Sequence, residues 1–228
     1  MSIDELKSVA EAIVARQKGI LAADESSPTI KKRFASIDVE STEENRRRYR
    51  EILFTTEGIE PYISGVILYD ETIRQSSKHE VPFPQLLSDR GIIPGIKVDK
   101  GAKPLALQPG NKVTEGLDGL RDRLAEYKQL GAKFAKWRAV MEIDEYTLPS
   151  TYAIRANCHA LARYAALCQE AGLVPIVEPE ILMDGAHDIK RCESITSTML
   201  ETLFGELDAH GVVFEGTLLK PNMIIPGK

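Results

Sequence analysis

The chain has 228 residues, of which 43% are hydrophobic and 28% charged, and its net charge is -5 at pH 7. That length and mix support a packed core and exclude general disorder. The acidic balance leaves no basic footprint for nucleic acid, and no run of about 18 apolar residues is present to span a bilayer.

Residues 1–17 read as an amphipathic helix, because Asp4, Glu5, Lys7 and Glu11 interrupt the apolar residues that a secretory signal would need. Ser2 and Glu5 have capping-box spacing, and Leu6, Val9, Ala10 and Ile13 share one side. Gly19 closes this helix and opens a first strand, Gly19 to Asp24. Ser41 and Glu44 repeat the capping-box spacing ahead of a helix through Leu53. Strand two is Gly65 to Asp70 and strand three Pro94 to Asp99. Leu117, Leu120, Leu124 and Tyr127 mark a helix closed by Gly131, and strand four runs from Ala132 to Arg138. Ser150 opens a long helix that ends at Gly172, followed by strand five, Leu173 to Glu178. Asp188 caps a helix with Ile189, Cys192, Ile195, Met199 and Leu203 on its inner stripe, closed near Gly211. Strand six is Val212 to Lys220.

Strands alternating with helices indicate right-handed βαβ units and a parallel sheet. Two layouts fit: an open doubly wound sheet, or a closed parallel (β/α)8 TIM barrel. Every predicted strand ends in charge, at Asp24, Asp70 and Glu71, Lys97 and Asp99, Lys136 and Arg138, Glu178 and Glu180, and Lys220. An open sheet concentrates its site at one switch point, whereas a barrel builds its site from all its strand ends, so the α/β barrel is favoured. About six of the eight units are present. Residues 1–228 therefore read as a single barrel domain without its last two units, and a fragment is the expectation.

Alternating strand side chains put Lys136 and Arg138 on one face, and likewise Glu178 and Glu180 if the strand continues past Pro179. In a barrel these would converge with Lys220 and Asp24. Charges so placed need partners and shift one another's pKa. A lysine becomes a nucleophile when neutral, and burial or a second cation favours the neutral amine; Lys136 near Lys220 supplies that cation. A neutral amine attacks a ketone and forms an iminium, an electron sink for breaking the adjacent carbon–carbon bond. Glu178 suits general acid–base work, and Asp24 suits removal of a hydroxyl proton. Lys31, Lys32 and Arg33, read as lying near a helix start, and Lys97, at the end of strand three, suit phosphate.

Other chemistries find little support. No GxGxxG, P-loop, HExxH or GxSxG pattern occurs. His79, His159, His187 and His210 are scattered without ligand spacing, and Asp184 to Asp188 reads as helix-start chemistry. Cys158, Cys168 and Cys192 are odd in number and lack CxxC spacing. They read as small buried residues on helices, in a reducing cytoplasm.

Seven segments in order resemble the class I (Schiff-base) fructose-bisphosphate aldolases: GILAADES (Gly19 to Ser26), TEENRR (Thr42 to Arg47), GIKVDKG (Gly95 to Gly101), GLDGL (Gly116 to Leu120), FAKWR (Phe134 to Arg138), LVPIVEPEIL (Leu173 to Leu182) and EGTLLKPNM (Glu215 to Met223). The resemblance covers nearly the whole chain. It implies a metal-free (β/α)8 barrel, commonly a homotetramer, that reversibly cleaves fructose 1,6-bisphosphate to dihydroxyacetone phosphate and glyceraldehyde 3-phosphate in glycolysis and gluconeogenesis. It also implies Lys220 as the Schiff-base lysine, Glu178 as proton donor and acceptor, Glu180 in support of the iminium, and Lys136 and Asp24 beside the reacting carbons. Arg33 would bind the 6-phosphate with Ser26, Lys97 and Arg138 nearby, and Arg46 is a further substrate contact. Ser27-Pro28-Thr29 departs from the Thr and Gly common in relatives, and the family's last strands, with their 1-phosphate contacts, are absent from the sequence. Two other readings stand beside this one: a non-catalytic aldolase-like interaction module, and a different Schiff-base sugar-phosphate lyase.

Overall fold

The computed structural model describes residues 2–144 and 146–228. Met1, the first residue of the predicted N-terminal helix, lies outside the described residues.

The chain begins with helix α1 (Ile3–Ile13). Ser2 caps it: the Ser2 hydroxyl accepts from the Glu5 amide at 3.3 Å, and the Glu5 carboxylate accepts from the Ser2 amide at 2.6 Å. The helix stops at Ile13, a turn and a half short of Gly19. Strand β1 (Gly19–Ala23) leads into α2 (Ser27–Ala35), then α3 (Glu43–Thr55). The cap of α3 is Thr42, not Ser41, with its hydroxyl accepting from the Asn45 amide at 3.1 Å. Strand β2 (Ile63–Leu68) precedes two short helices that the sequence did not announce, α4 (Asp70–Ile73) and α5 (Phe83–Asp89).

Strand β3 (Ile93–Lys97) is followed by an antiparallel hairpin, β4 (Ala102–Pro104) with β5 (Lys112–Thr114), also absent from the sequence reading. Helix α6 (Leu120–Gln129), β6 (Phe134–Met141), α7 (Thr151–Ala171), β7 (Val174–Ile181) and α8 (Ile189–Ala209) then alternate. Ser150 caps α7 through the Ala153 amide, and Gly172 ends it in the left-handed conformation at φ 72°. Asp188 caps α8 through the Arg191 amide. The predicted sixth strand is mostly a turn. Phe214–Gly216 is a 3-10 helix, and only Leu218–Leu219, β8, pairs with the sheet. The reason is Gln169 on α7. Its amide nitrogen donates to the Val213 carbonyl at 2.8 Å, and its amide oxygen accepts from the Val213 N–H at 2.9 Å, taking the groups a ladder would use.

The six parallel strands are ordered β1-β2-β3-β6-β7-β8, strictly in chain sequence. No reversal of order occurs, so the switch point of an open doubly wound sheet is missing. The sheet curls as part of a (β/α)8 barrel, with two apolar clusters on its two faces. On the convex face, Trp137, Ala139, Met141 and Val177 pack under α6, α7 and α8. On the concave face, Phe134, Val174, Ile176 and Ile67 pack against Leu6, Ala10 and Ile13, so α1 plugs the lower end of the interior. Cys158, Cys168 and Cys192 are free and buried on α7 and α8. Among the described residues, no helix is long and apolar enough to cross a membrane.

On the concave face the Phe134 ring packs directly against the strand backbone at Gly95. A Cβ added at Gly95 would lie 2.3 Å from the fully buried Phe134 ring, while one at Gly19 would meet nothing within 4 Å. Gly95→Ala is therefore expected to destabilise the fold by about 1–3 kcal/mol through overpacking. A lower urea midpoint at unchanged m-value checks it, with Gly19→Ala as the near-neutral control.

Candidate active site

Above the Phe134 layer the concave face turns from apolar to charged. In β6 the side chains on this face run Phe134, Lys136, Arg138. Register pairs Arg138 with Glu178 in β7, which continues through Pro179 to Ile181 and so keeps Glu180 on the same face. At the end of β8 the Lys220 amide donates to the Val177 carbonyl at 2.9 Å, which extends the ladder by one residue and sets the Lys220 side chain beside Glu178.

The result is a chain of alternating charges. The Lys220 ammonium donates to Oε1 of Glu178. The Lys136 Nζ lies 3.3 Å from Oε2 of the same carboxylate and 2.6 Å from Oδ2 of Asp24, which follows β1. Glu178 is 4% exposed and Lys136 6%. Burial pulls the Lys136 pKa down, but the combined charge of Asp24, Glu178 and Asp99 outweighs it, so the net shift is upward. Lys136 is thus a fixed cation at neutral pH. Its contribution to stability is complete below the ordinary lysine value and is lost as pH rises through the elevated folded value.

Arg138 donates to Glu180 at the rim. Lys97 binds Asp99 at 2.6 Å, and Asp99 accepts in turn from the Gly101 amide at 3.1 Å. These groups line a cleft of about 560 Å³, with Ser26, Thr29, Arg33 and Lys112 on its outer edge. The Ser26 and Thr29 hydroxyls lie 3.1 Å apart at the start of α2. Lys31 sits at the middle of α2 and Lys32 and Arg33 in its last turn, rather than near its start. Arg33 still reaches the cleft and pairs with Glu25. Arg46 is held elsewhere, in a two-pronged pair with Glu71 at 2.8 and 2.6 Å, and does not line the cleft. Asp70 and Glu71 belong to α4, not to strand two.

One residue that sequence reasoning missed holds this site from behind. Arg50, on α3, is fully buried. It donates to the Ala23 carbonyl at 3.2 Å and to the Glu25 carbonyl at 2.8 Å, bracketing Asp24, and it lies 3.6 Å from the Glu25 carboxylate. Burial depresses its pKa against the nearby Glu25 and Glu71 charges. Arg50→Ala would leave the Ala23 and Glu25 carbonyls without this donor and the Glu25 carboxylate with Arg33 as its cation, so a loss of about 3–5 kcal/mol is expected. Chemical denaturation checks this, with the exposed Arg48→Ala expected within about 0.5 kcal/mol of the parent.

The chain is similar to proteins of known family. The profile of the family described as fructose-bisphosphate aldolase class-I matches residues 5–228. A Xanthomonas campestris pv. campestris protein named "Probable fructose-bisphosphate aldolase class 1" is 62% identical over 228 residues, covering 100% of this chain and 68% of its own length. The Arabidopsis thaliana protein named "Fructose-bisphosphate aldolase 5, cytosolic" is 55% identical over 224 residues, covering 98% of this chain and 62% of its own. The fructose-bisphosphate aldolase of Plasmodium falciparum, solved in complex with TRAP and a small-molecule inhibitor, superposes with a TM-score of 0.96 at 50% identity. That match covers 98% of this chain and 65% of the solved one, so the chain spans about two thirds of the length of the relatives it matches. On sequence and fold, the chain belongs to the class I fructose-bisphosphate aldolase family.

Proposed function

We propose that the chain carries the Schiff-base half of a class I fructose-bisphosphate aldolase, within a single barrel domain, and acts on fructose 1,6-bisphosphate to give dihydroxyacetone phosphate and glyceraldehyde 3-phosphate. The observation that carries the reading is the buried Glu178 carboxylate, whose two oxygens hold Lys220 on one side and Lys136 on the other.

Glu178 takes a proton from the Lys220 ammonium and frees its lone pair. The amine adds to the C2 ketone, forming a C–N bond and a carbinolamine. The Glu178 carboxylic acid then protonates the carbinolamine hydroxyl, which leaves as water, and an iminium remains. Asp24 removes the C4 hydroxyl proton, and the C3–C4 bond breaks. Its electron pair enters the iminium and gives an enamine, and glyceraldehyde 3-phosphate departs. The proton that Asp24 took is returned to C3, which restores the iminium; water, deprotonated by Glu178, adds to it, and the carbinolamine collapses to dihydroxyacetone phosphate and Lys220, with Glu178 giving its proton back to the amine.

Lys136, always charged, offsets the negative charge that builds near C4 and orients Asp24. Glu180, tied to Arg138, supports the iminium stage. Arg33, Ser26, Lys97 and Arg138 provide cations and a hydroxyl for the 6-phosphate; an Arg46 contact would require release from Glu71. The scheme needs no metal. A cytoplasmic location, as in the plant relative named cytosolic, and a homotetrameric assembly are part of the proposal. A coupled assay of fructose 1,6-bisphosphate, sedoheptulose 1,7-bisphosphate and deoxyribose 5-phosphate tests it. Preference for the first supports the reading; turnover only of another, or of none, refutes it.

A further inference from the structure

On the convex side, away from the cleft, α7 and α8 pack side by side and bring together two of the histidines that are far apart in sequence. The His159 ring on α7 meets the His210 ring at the end of α8 edge to face, with centroids 5.0 Å apart. Glu206, one turn before His210, reaches both: its Oε2 lies 2.9 Å from His159 Nδ1 and 3.8 Å from His210 Nδ1. One ring nitrogen of each histidine and one Glu206 oxygen lie within 4.8 Å of one another.

We propose that His159, Glu206 and His210 form a surface site for a divalent transition-metal ion of the zinc class, with solvent completing its shell. Two imidazoles and one carboxylate match the ligands such ions choose, whereas magnesium and calcium ask for oxygen shells. Bonds of about 2.0–2.1 Å in a tetrahedron put ligand atoms about 3.3 Å apart. From a spread of up to 4.8 Å the ligand atoms must therefore close by up to about 1.5 Å, which rotamer adjustment allows because all three side chains are partly exposed.

Protonation is arranged for it. His210 Nδ1 is 2.8 Å from the Glu206 backbone carbonyl. A carbonyl oxygen only accepts, so in this pose Nδ1, the atom 3.8 Å from the Glu206 carboxylate, carries the proton, and Nε2 is the nitrogen left for the ion. A backbone carbonyl on the far ring nitrogen is the outer-shell partner that metal-bound imidazoles usually have. At His159 the proton shared with Glu206 is the one an ion would replace. Glu206 and His210 come from one helix face at i and i+4 and His159 from the next helix, so the ion would tie α7 to α8. Arg163 lines the grooves on both sides and is the opposing charge. The site lies outside the cleft of Lys220, and its test does not depend on the aldolase reading.

Calorimetric titration of the 228-residue chain with Zn²⁺ near neutral pH, and optical titration with Co²⁺, provide the test. The expected result is one ion per chain, Co²⁺ bands of a nitrogen and oxygen site, and a thermal midpoint raised by a few degrees at saturation. His159→Ala and His210→Ala, each folded by circular dichroism, are expected to weaken binding by at least about tenfold and abolish the shift. Absence of binding at roughly millimolar ion, or binding that both variants leave unchanged and that therefore resides at His79, His187 or the thiols, overturns the proposal.

Discussion

Lys220→Met is expected to lower carbon–carbon cleavage by at least about 10⁴-fold, the scale seen when a covalent nucleophile is removed. Methionine keeps an unbranched apolar stem but has no amine to form a C–N bond. No neighbour can substitute. Lys136 is the lysine that shares Glu178 with it, and Asp24 and Glu178 hold it as an ammonium with its pKa above the ordinary value. The variant is expected to fold, because the Lys220 side chain is half exposed and Glu178 retains Lys136. Coupled turnover under saturating substrate, with circular dichroism as the folding control, measures the loss. A residual rate above about 1% of the parent would contradict a covalent role on the same scale.

The second large effect is at Glu178. Replacement by glutamine removes the carboxylate that touches both lysines, and with it the proton exchange of the carbinolamine step. A fall of about 10²–10⁴-fold is expected. Two features separate this from a packing defect. The limb of the pH–rate profile that belongs to the carboxyl is expected to vanish. Lys136 also loses one of the charges that raise its pKa, so its alkaline loss of stability begins at lower pH than in the parent. Stability itself is expected to fall by about 1.5–3 kcal/mol, since a nearly buried ammonium loses the weaker of two carboxylate partners and keeps Asp24. A Glu178→Gln protein with parental turnover and an unchanged pH profile would dismiss the residue from the chemistry.

Much of this was legible in the residues, for identifiable reasons. Ser150 and Gly172 bound α7 as read, because a hydroxyl cap and a left-handed glycine act locally. The charges at the ends of β1, β3, β6 and β7 stood out against apolar runs, and period-two alternation placed Lys136 with Arg138 and Glu178 with Glu180. What failed depended on tertiary partners. Ser41 and Thr42 are adjacent cap formers, and only the built helix chooses Thr42. Val212 to Gly216 has strand-like residues, yet Gln169 takes the Val213 backbone groups. The β4–β5 hairpin carries Pro104 and Pro109 and little alternation. Arg50 stands among Arg46, Arg47 and Arg48 in one polar helix, and nothing local marks it as the buried member that brackets Asp24. The pairing of His159 with His210 likewise exists only once α7 lies against α8.

The most direct measurement is chemical. Dihydroxyacetone phosphate is added to the protein, the iminium is reduced with borohydride, and the digested peptides are weighed. The account predicts one reduced adduct, on Lys220, absent from Lys220→Met and slow to form in Glu178→Gln. An adduct on Lys136 instead, or none on either lysine, would contradict it.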